Sequence, residues 1–139
     1  TGSAAGYRST GTRLMQDQPD ASALVAAVAK FLRDRVMPEL GGQTGYLTRV
    51  AANILDIAVR EINLGRQTEV AEQDRLRELL GEDGDLADLN ARLALAIAEG
   101  TLSVETPGLV QHLHESTMAK LAVDQPRYAA YRRALSAGN

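Results

Sequence analysis

The chain has 139 residues, 45% hydrophobic and 24% charged, the proportions of one ordinary globular domain. It contains no cysteine, which excludes a disulfide framework, a thiol nucleophile and a cysteine-ligated zinc site. The formal net charge of −3 is a poor match to nucleic acid or an anionic membrane, both of which reward clustered lysine and arginine.

Residues 1–14 are Gly, Ser, Thr and Arg with Ala4, Ala5, Tyr7 and Leu14 as their apolar content, and they show no periodicity. They read as an appended or disordered tail ahead of a helical domain at 15–139. Setting the tail aside removes Arg8 and Arg13 and no acid, which takes the domain charge from −3 to −5. There is no signal-type segment and no apolar run of about 18 residues. The expectation is a cytoplasmic protein of bacterial type with no nucleic-acid or membrane partner.

In chain order, Asp20 or Ser22 is placed to cap a first helix, with Leu24, Val28, Phe31, Leu32 and Val36 spaced for one face. Pro38 and the pair Gly41-Gly42 predict its end. From Tyr46 to Ile62 the chain reads as a helix that is apolar almost all the way round, spanning about 43–64 and stopping at Gly65. A helix this apolar predicts packing on several sides, and therefore a central position. Residues 66–80 are charged and carry Val70, Leu76, Leu79 and Leu80, predicting a separate outer helix. After the turn Gly81-Glu82-Asp83-Gly84, Asp85 caps a helix bearing Leu86, Leu89, Leu93 and Ile97, and Gly100 stops it. Thr106 is expected to cap a fifth helix with Pro107 at its first position, ending near Asp124 ahead of Gln125-Pro126. A short terminal helix from Arg127 to about Leu135 completes the chain. Strand signals are nearly absent, so the fold expected is all-α, a single compact bundle of five or six helices.

Two constellations carry candidate chemistry. Arg49, Asn53, Asp56 and Arg60 fall within about 60° of each other and form a narrow polar stripe on the central helix. The stripe is either an anion or partner site or an exposed edge laced by a local Asp56–Arg60 pair. On the fifth helix, Ser116, Lys120 and Asp124 continue the face begun by Leu109 and Leu113. There Lys120 is either an anion binder or a snorkelling side chain whose head meets Asp124 or Asp56. His112 and His114 point about 160° apart on a helix and cannot chelate one ion together, so both are expected to face solvent or to be partly packed. Arg127, Arg132 and Arg133 with Tyr128 and Tyr131 form a basic-aromatic cluster that reads as the complement of a helix-end dipole. Phosphate-binding glycine loops, nucleophile elbows and paired zinc ligands are missing.

The stretches Arg49-Val50-Ala51-Ala52-Asn53 and Lys120-Leu121-Ala122-Val123-Asp124-Gln125-Pro126-Arg127-Tyr128, with Gln18-Pro19 and Leu89-Asn90 to Glu99-Gly100, resemble a small bacterial family of unknown function. The similarity covers about residues 16–131. It implies genes lying beside acyl-CoA dehydrogenases and aminoglycoside-phosphotransferase-like kinases, and hence a helper near that chemistry. It carries over no catalytic residue and implies no cofactor.

The leading expectation is a non-enzymatic accessory or interaction protein that docks onto a partner enzyme or onto itself. The alternative is a small-molecule binder in which Arg49, Asn53, Asp56, Arg60, Lys120 and Asp124 hold a phosphate, CoA-like or carboxylate ligand between the central and fifth helices. A hydrolase or transferase using Lys120 with Asp124 or Asp56 is a third, remoter option.

Overall fold

The computed structural model describes residues 19–138; the expected tail at 1–14 lies outside them. Asp20 opens the first helix, α1 (Ala21–Phe31), by accepting the Ala23 N–H at 2.8 Å. The helix runs on into a π-helical turn, Leu32–Val36, and a 3₁₀ turn, Met37–Glu39, that contains Pro38. Leu40 is extended, and the chain reverses into α2 (Gly42–Leu80). Asp85 caps α3 (Leu86–Ala98) by accepting the Asp88 N–H at 2.8 Å, and Gly100 ends it at φ 74°. The remaining elements are α4 (Leu109–Asp124) and α5 (Ala129–Ala137). The described residues contain five α-helices and no strand, so the fold is all-α.

Two expected helices prove to be one. The segments expected at about 43–64 and 66–80 are joined through Gly65 into 39 continuous residues, about 58 Å of helix. A lone glycine costs a helix only about 1 kcal/mol, and the flanking Ile62-Asn63-Leu64 and Arg66-Gln67-Thr68-Glu69 contain no proline. Thr68 further ties the turn by donating its hydroxyl to the Gly65 carbonyl at 2.8 Å. The true stop is Gly81, in the left-handed region at φ 66°.

Each of α1, α3 and α4 packs against α2, which is the spine of the molecule. At its C-terminal end, Leu76 meets Leu89, Leu93 and Leu109, with Leu79, Leu80, Leu86 and Leu102 around them. This all-leucine cluster is the main apolar core. The other half of α2 is covered mainly by α1, with the C-terminal end of α4 reaching Arg60, and keeps Leu47, Ile54 and Ile62 half or more exposed. Ala29 and Ala52 are the fully buried residues of that contact, at 1% and 0% exposure.

The α1 face also differs from expectation. Ala29 is buried and Val25, Leu32 and Val36 are partly so, whereas Leu24, Val28 and Phe31 point away from α2 and are more than half exposed. Small Ala29 and Ala52 allow the two backbones to approach closely, and that contact sets the rotation of α1 in place of its larger side chains. Similarly, α4 starts at Leu109 behind Gly108, at φ 85°, not at Pro107. Thr106 closes the preceding turn instead, its hydroxyl accepting the Ser103 N–H at 3.0 Å.

Leu76→Ala is expected to cost about 2–5 kcal/mol in urea unfolding, because the site is sealed and leaves a cavity. Gly65→Ala should instead stabilise by about 0.5–1 kcal/mol. The nearest atoms that a Cβ there would meet belong to the Glu61 side chain, whose carboxylate end can swing aside. A lower unfolding midpoint for Gly65→Ala would show that α4 needs the glycine to approach.

Candidate functional site

The polar stripe on α2 turns toward α1 on one side and toward the C-terminal end of α4 on the other. Asp56 forms an ion pair with Arg33, which also donates to the Ala52 carbonyl at 3.1 Å. Arg33 sits in the π-helical turn after α1, so the widened turn supplies the residue that anchors α1 on the spine. Arg60 donates its Nε–H to the Val123 carbonyl in the last turn of α4. That carbonyl is one of the groups a helix C-terminus leaves unpaired, and a guanidinium there also complements the helix dipole. The local Asp56–Arg60 pair is not formed: each residue reaches a different neighbouring helix.

Between these anchors lies a groove of about 320 Å³ lined by Asn53, Asp56, Arg60, Asp124, Arg127 and Tyr128, among others. It gathers four of the six expected site residues: Asn53, Asp56, Arg60 and Asp124. The other two lie elsewhere. Arg49 lines a separate groove with Met37, Leu40 and Tyr46. Lys120 is exposed in another groove between α2 and α4, with Glu61, Glu69 and Glu72, that Asp124 also borders. Arg49, Arg60 and Lys120 therefore do not converge on a shared anion. Among the described residues, no carboxylate lies within ion-pair distance of Lys120.

The face of α4 that meets α2 is not the expected one. Leu109, His112, Ser116 and Val123 are buried, while Leu113, Lys120 and Asp124 are exposed. Small Ser116, with partly buried Ala119 one turn on, lets α4 lie close to α2. Arg75 of α2 then donates to the Ser116 hydroxyl at 3.2 Å and pairs with Glu115 at 3.1 Å. His112 is thus 2% exposed, with Nδ1 buried and unpartnered. Its seven-residue pattern with Leu109, Ser116, Ala119 and Val123 is present in the sequence, but bulkier Leu113 marks a competing face. Burial and the neighbouring Arg75 guanidinium hold the His112 pKa below the usual histidine value, opposed by Glu72 and Glu115. Among the described residues no cluster of three His, Asp or Glu side chains is placed to hold a metal ion.

Asp56→Ala is expected to cost about 1 kcal/mol, since the Arg33 pair is partly exposed and backed by a carbonyl contact. Faster hydrogen exchange confined to residues 21–36 would locate that loss in α1. Arg49→Ala, on an exposed side chain, should cost about 0.5 kcal/mol or less in thermal unfolding. For His112 the folded-state pKa is the depressed one, so the unfolded chain takes up its proton first. Stability should therefore fall as pH drops below about 6.5. His112→Gln should flatten that part of the pH–stability curve; an unchanged slope would show that other groups produce it.

Comparison with curated proteins finds no match, and neither does comparison with solved structures. Residues 38–128, running from the 3₁₀ turn through α2, α3 and α4 to Tyr128, match a domain of unknown function, DUF6285. On that match over most of its length, the chain belongs to the DUF6285 family.

Proposed function

We propose that the protein is a non-enzymatic interaction module, and that its docking surface is the apolar side of the α1–α2 hairpin, covered by a second copy of the chain. The observation that carries this reading is the exposure of Leu24, Val28 and Phe31 on α1 and of Leu47, Ile54 and Ile62 on α2, each half or more open to solvent. At about 100° per residue, each row lies about 120° from the Ala29–Ala52 contact, in the same rotational sense along its own helix. In an antiparallel pair this turns both rows to one side of the hairpin. The polar stripe occupies the other side of α2.

A two-helix layer with one apolar side satisfies itself by meeting its own image about a two-fold axis, which yields a four-helix bundle. Half-exposed side chains of this size leave roughly 100 Å² open each. The six then supply roughly 600 Å² per copy, most of the ~800 Å² that a specific interface buries on each partner. The contact within the hairpin seals only two alanines, so the association adds the apolar burial that the hairpin lacks by itself.

In this reading the dimer is an accessory component in a bacterial cytoplasm. Acyl-CoA dehydrogenases or aminoglycoside-phosphotransferase-like kinases are the enzymes it serves, as the family resemblance implies. The small-ligand alternative draws support from the Asn53–Asp56–Arg60–Asp124 groove, but Asp56 and Arg60 already hold α1 and α4 there.

Sedimentation velocity on the purified chain should show a dimer at micromolar concentration, with Ile54→Glu and Val28→Glu shifting it to monomer at unchanged helicity. A wild-type chain that stays monomeric at about 100 μM overturns self-association. Native mass spectrometry of protein purified gently from its host would then ask whether a partner enzyme occupies the face.

A further inference from the structure

A second surface lies at the opposite end of the spine, and it is independent of the hairpin. Arg75, Glu78 and Leu79 of α2 face Pro107, Gly108, Gln111 and His112 at the start of α4, enclosing a groove of about 230 Å³. Three unmet polar demands meet there. The first is the α4 N-terminus, where glycine provides no side-chain cap. Leu109 donates to the Thr106 carbonyl and His112 to the Gly108 carbonyl, but the Val110 and Gln111 N–H groups have no partner among the described residues. The second is Arg75. Its terminal nitrogens serve Glu115 and Ser116, while its Nε is buried without an acceptor. The third is His112, 2% exposed, with an equally buried and unpartnered Nδ1.

Orphaned buried polar atoms such as Arg75 Nε and His112 Nδ1 are costly, and both residues line, with Gln111, one groove at the positive end of a 16-residue helix. We propose that this groove binds an oxyanion, the phosphoryl or carboxylate group of a small molecule, held by the Gln111 N–H group, Arg75 Nε and the His112 ring. Each of the first two is a donor with nothing to donate to, and an oxyanion offers several acceptor oxygens at once. His112 completes the set as a donor in its Nδ1–H tautomer. Glu78 is the one acidic side chain among the lining residues. It is exposed on the rim, where water screens it, and it disfavours a multiply charged ligand. The charged groups that face the ring are Arg75, Glu72, Glu115 and Lys120. Binding an anion beside the ring would favour its protonation, so its titration midpoint should move upward when the groove is filled.

The test follows the His112 ring resonances of the full chain by NMR during titration with inorganic phosphate, then with acetate, with sodium chloride holding ionic strength constant. The expected result is a saturable shift with a Kd of about 1 mM, stronger for phosphate if the natural group is phosphoryl and stronger for acetate if it is a carboxylate. Gln111→Glu places a carboxylate in the first turn of α4, where it competes for the same N–H group, at the cost of the hydrogen bond that Gln111 donates to Glu115 at 2.7 Å. It should weaken binding about ten-fold or more with the helical content unchanged. Glu78→Gln should tighten it about two- to three-fold. A ring unmoved by either anion, or moved equally by chloride alone, would mean that trapped water satisfies these atoms and would overturn the site. So would undiminished binding in Gln111→Glu.

Discussion

A helix of 39 residues is longer than any partner this chain can lay against it. Its neighbours have 11, 13 and 16 residues, and each covers a different stretch. The continuity of α2 through Gly65 therefore has consequences along its whole length. Where α3 and α4 gather at one end, eight leucines close into a core. Where α1 lies alone, the same helix keeps its apolar residues in water. Grooves open wherever one short neighbour ends and another has yet to begin.

The charged residues of α2 act mainly across elements. Arg33 reaches back from the π-helical turn to Asp56, and Arg60 reaches forward to the last turn of α4. Each contact is worth little by itself when partly exposed. Together they set the position of two helices whose apolar contacts with this half of α2 are thin. Asp56 and Arg60 therefore act as a bracket, and a groove lies between their two attachments.

The two proposed surfaces differ in chemistry and in place. The side of the hairpin that carries Leu24, Val28, Phe31, Leu47, Ile54 and Ile62 offers only apolar area, so what covers it is a matching apolar layer. The groove at the start of α4 offers donors without acceptors at the positive end of a helix, and that favours negative charge.

Much of the fold is readable in local chemistry. The caps at Asp20 and Asp85, the breaks around Pro38 and at Gly81, Gly100 and Pro126, and the leucine spacing of α3 all depend on residues within one or two turns of each other. These features follow from backbone geometry and short-range hydrogen bonds. The choice of face does not. The Leu24–Val28–Phe31 row and Leu113 are the more hydrophobic sides of their helices, yet Ala29 and the His112–Ser116 row are what meet α2, because small side chains permit the closest approach of two backbones. Long-range packing also decides which expected site residues meet: Asn53, Asp56, Arg60 and Asp124 share one groove, whereas Arg49 and Lys120 lie in others. Periodicity places Arg49 and Arg60 on one stripe and Lys120 on a plausible neighbour, but the rotation of α4 about its axis sends Lys120 to another groove and brings His112 inside. Local sequence decides where helices begin and end; which side of each is buried is decided by long-range packing among all of them.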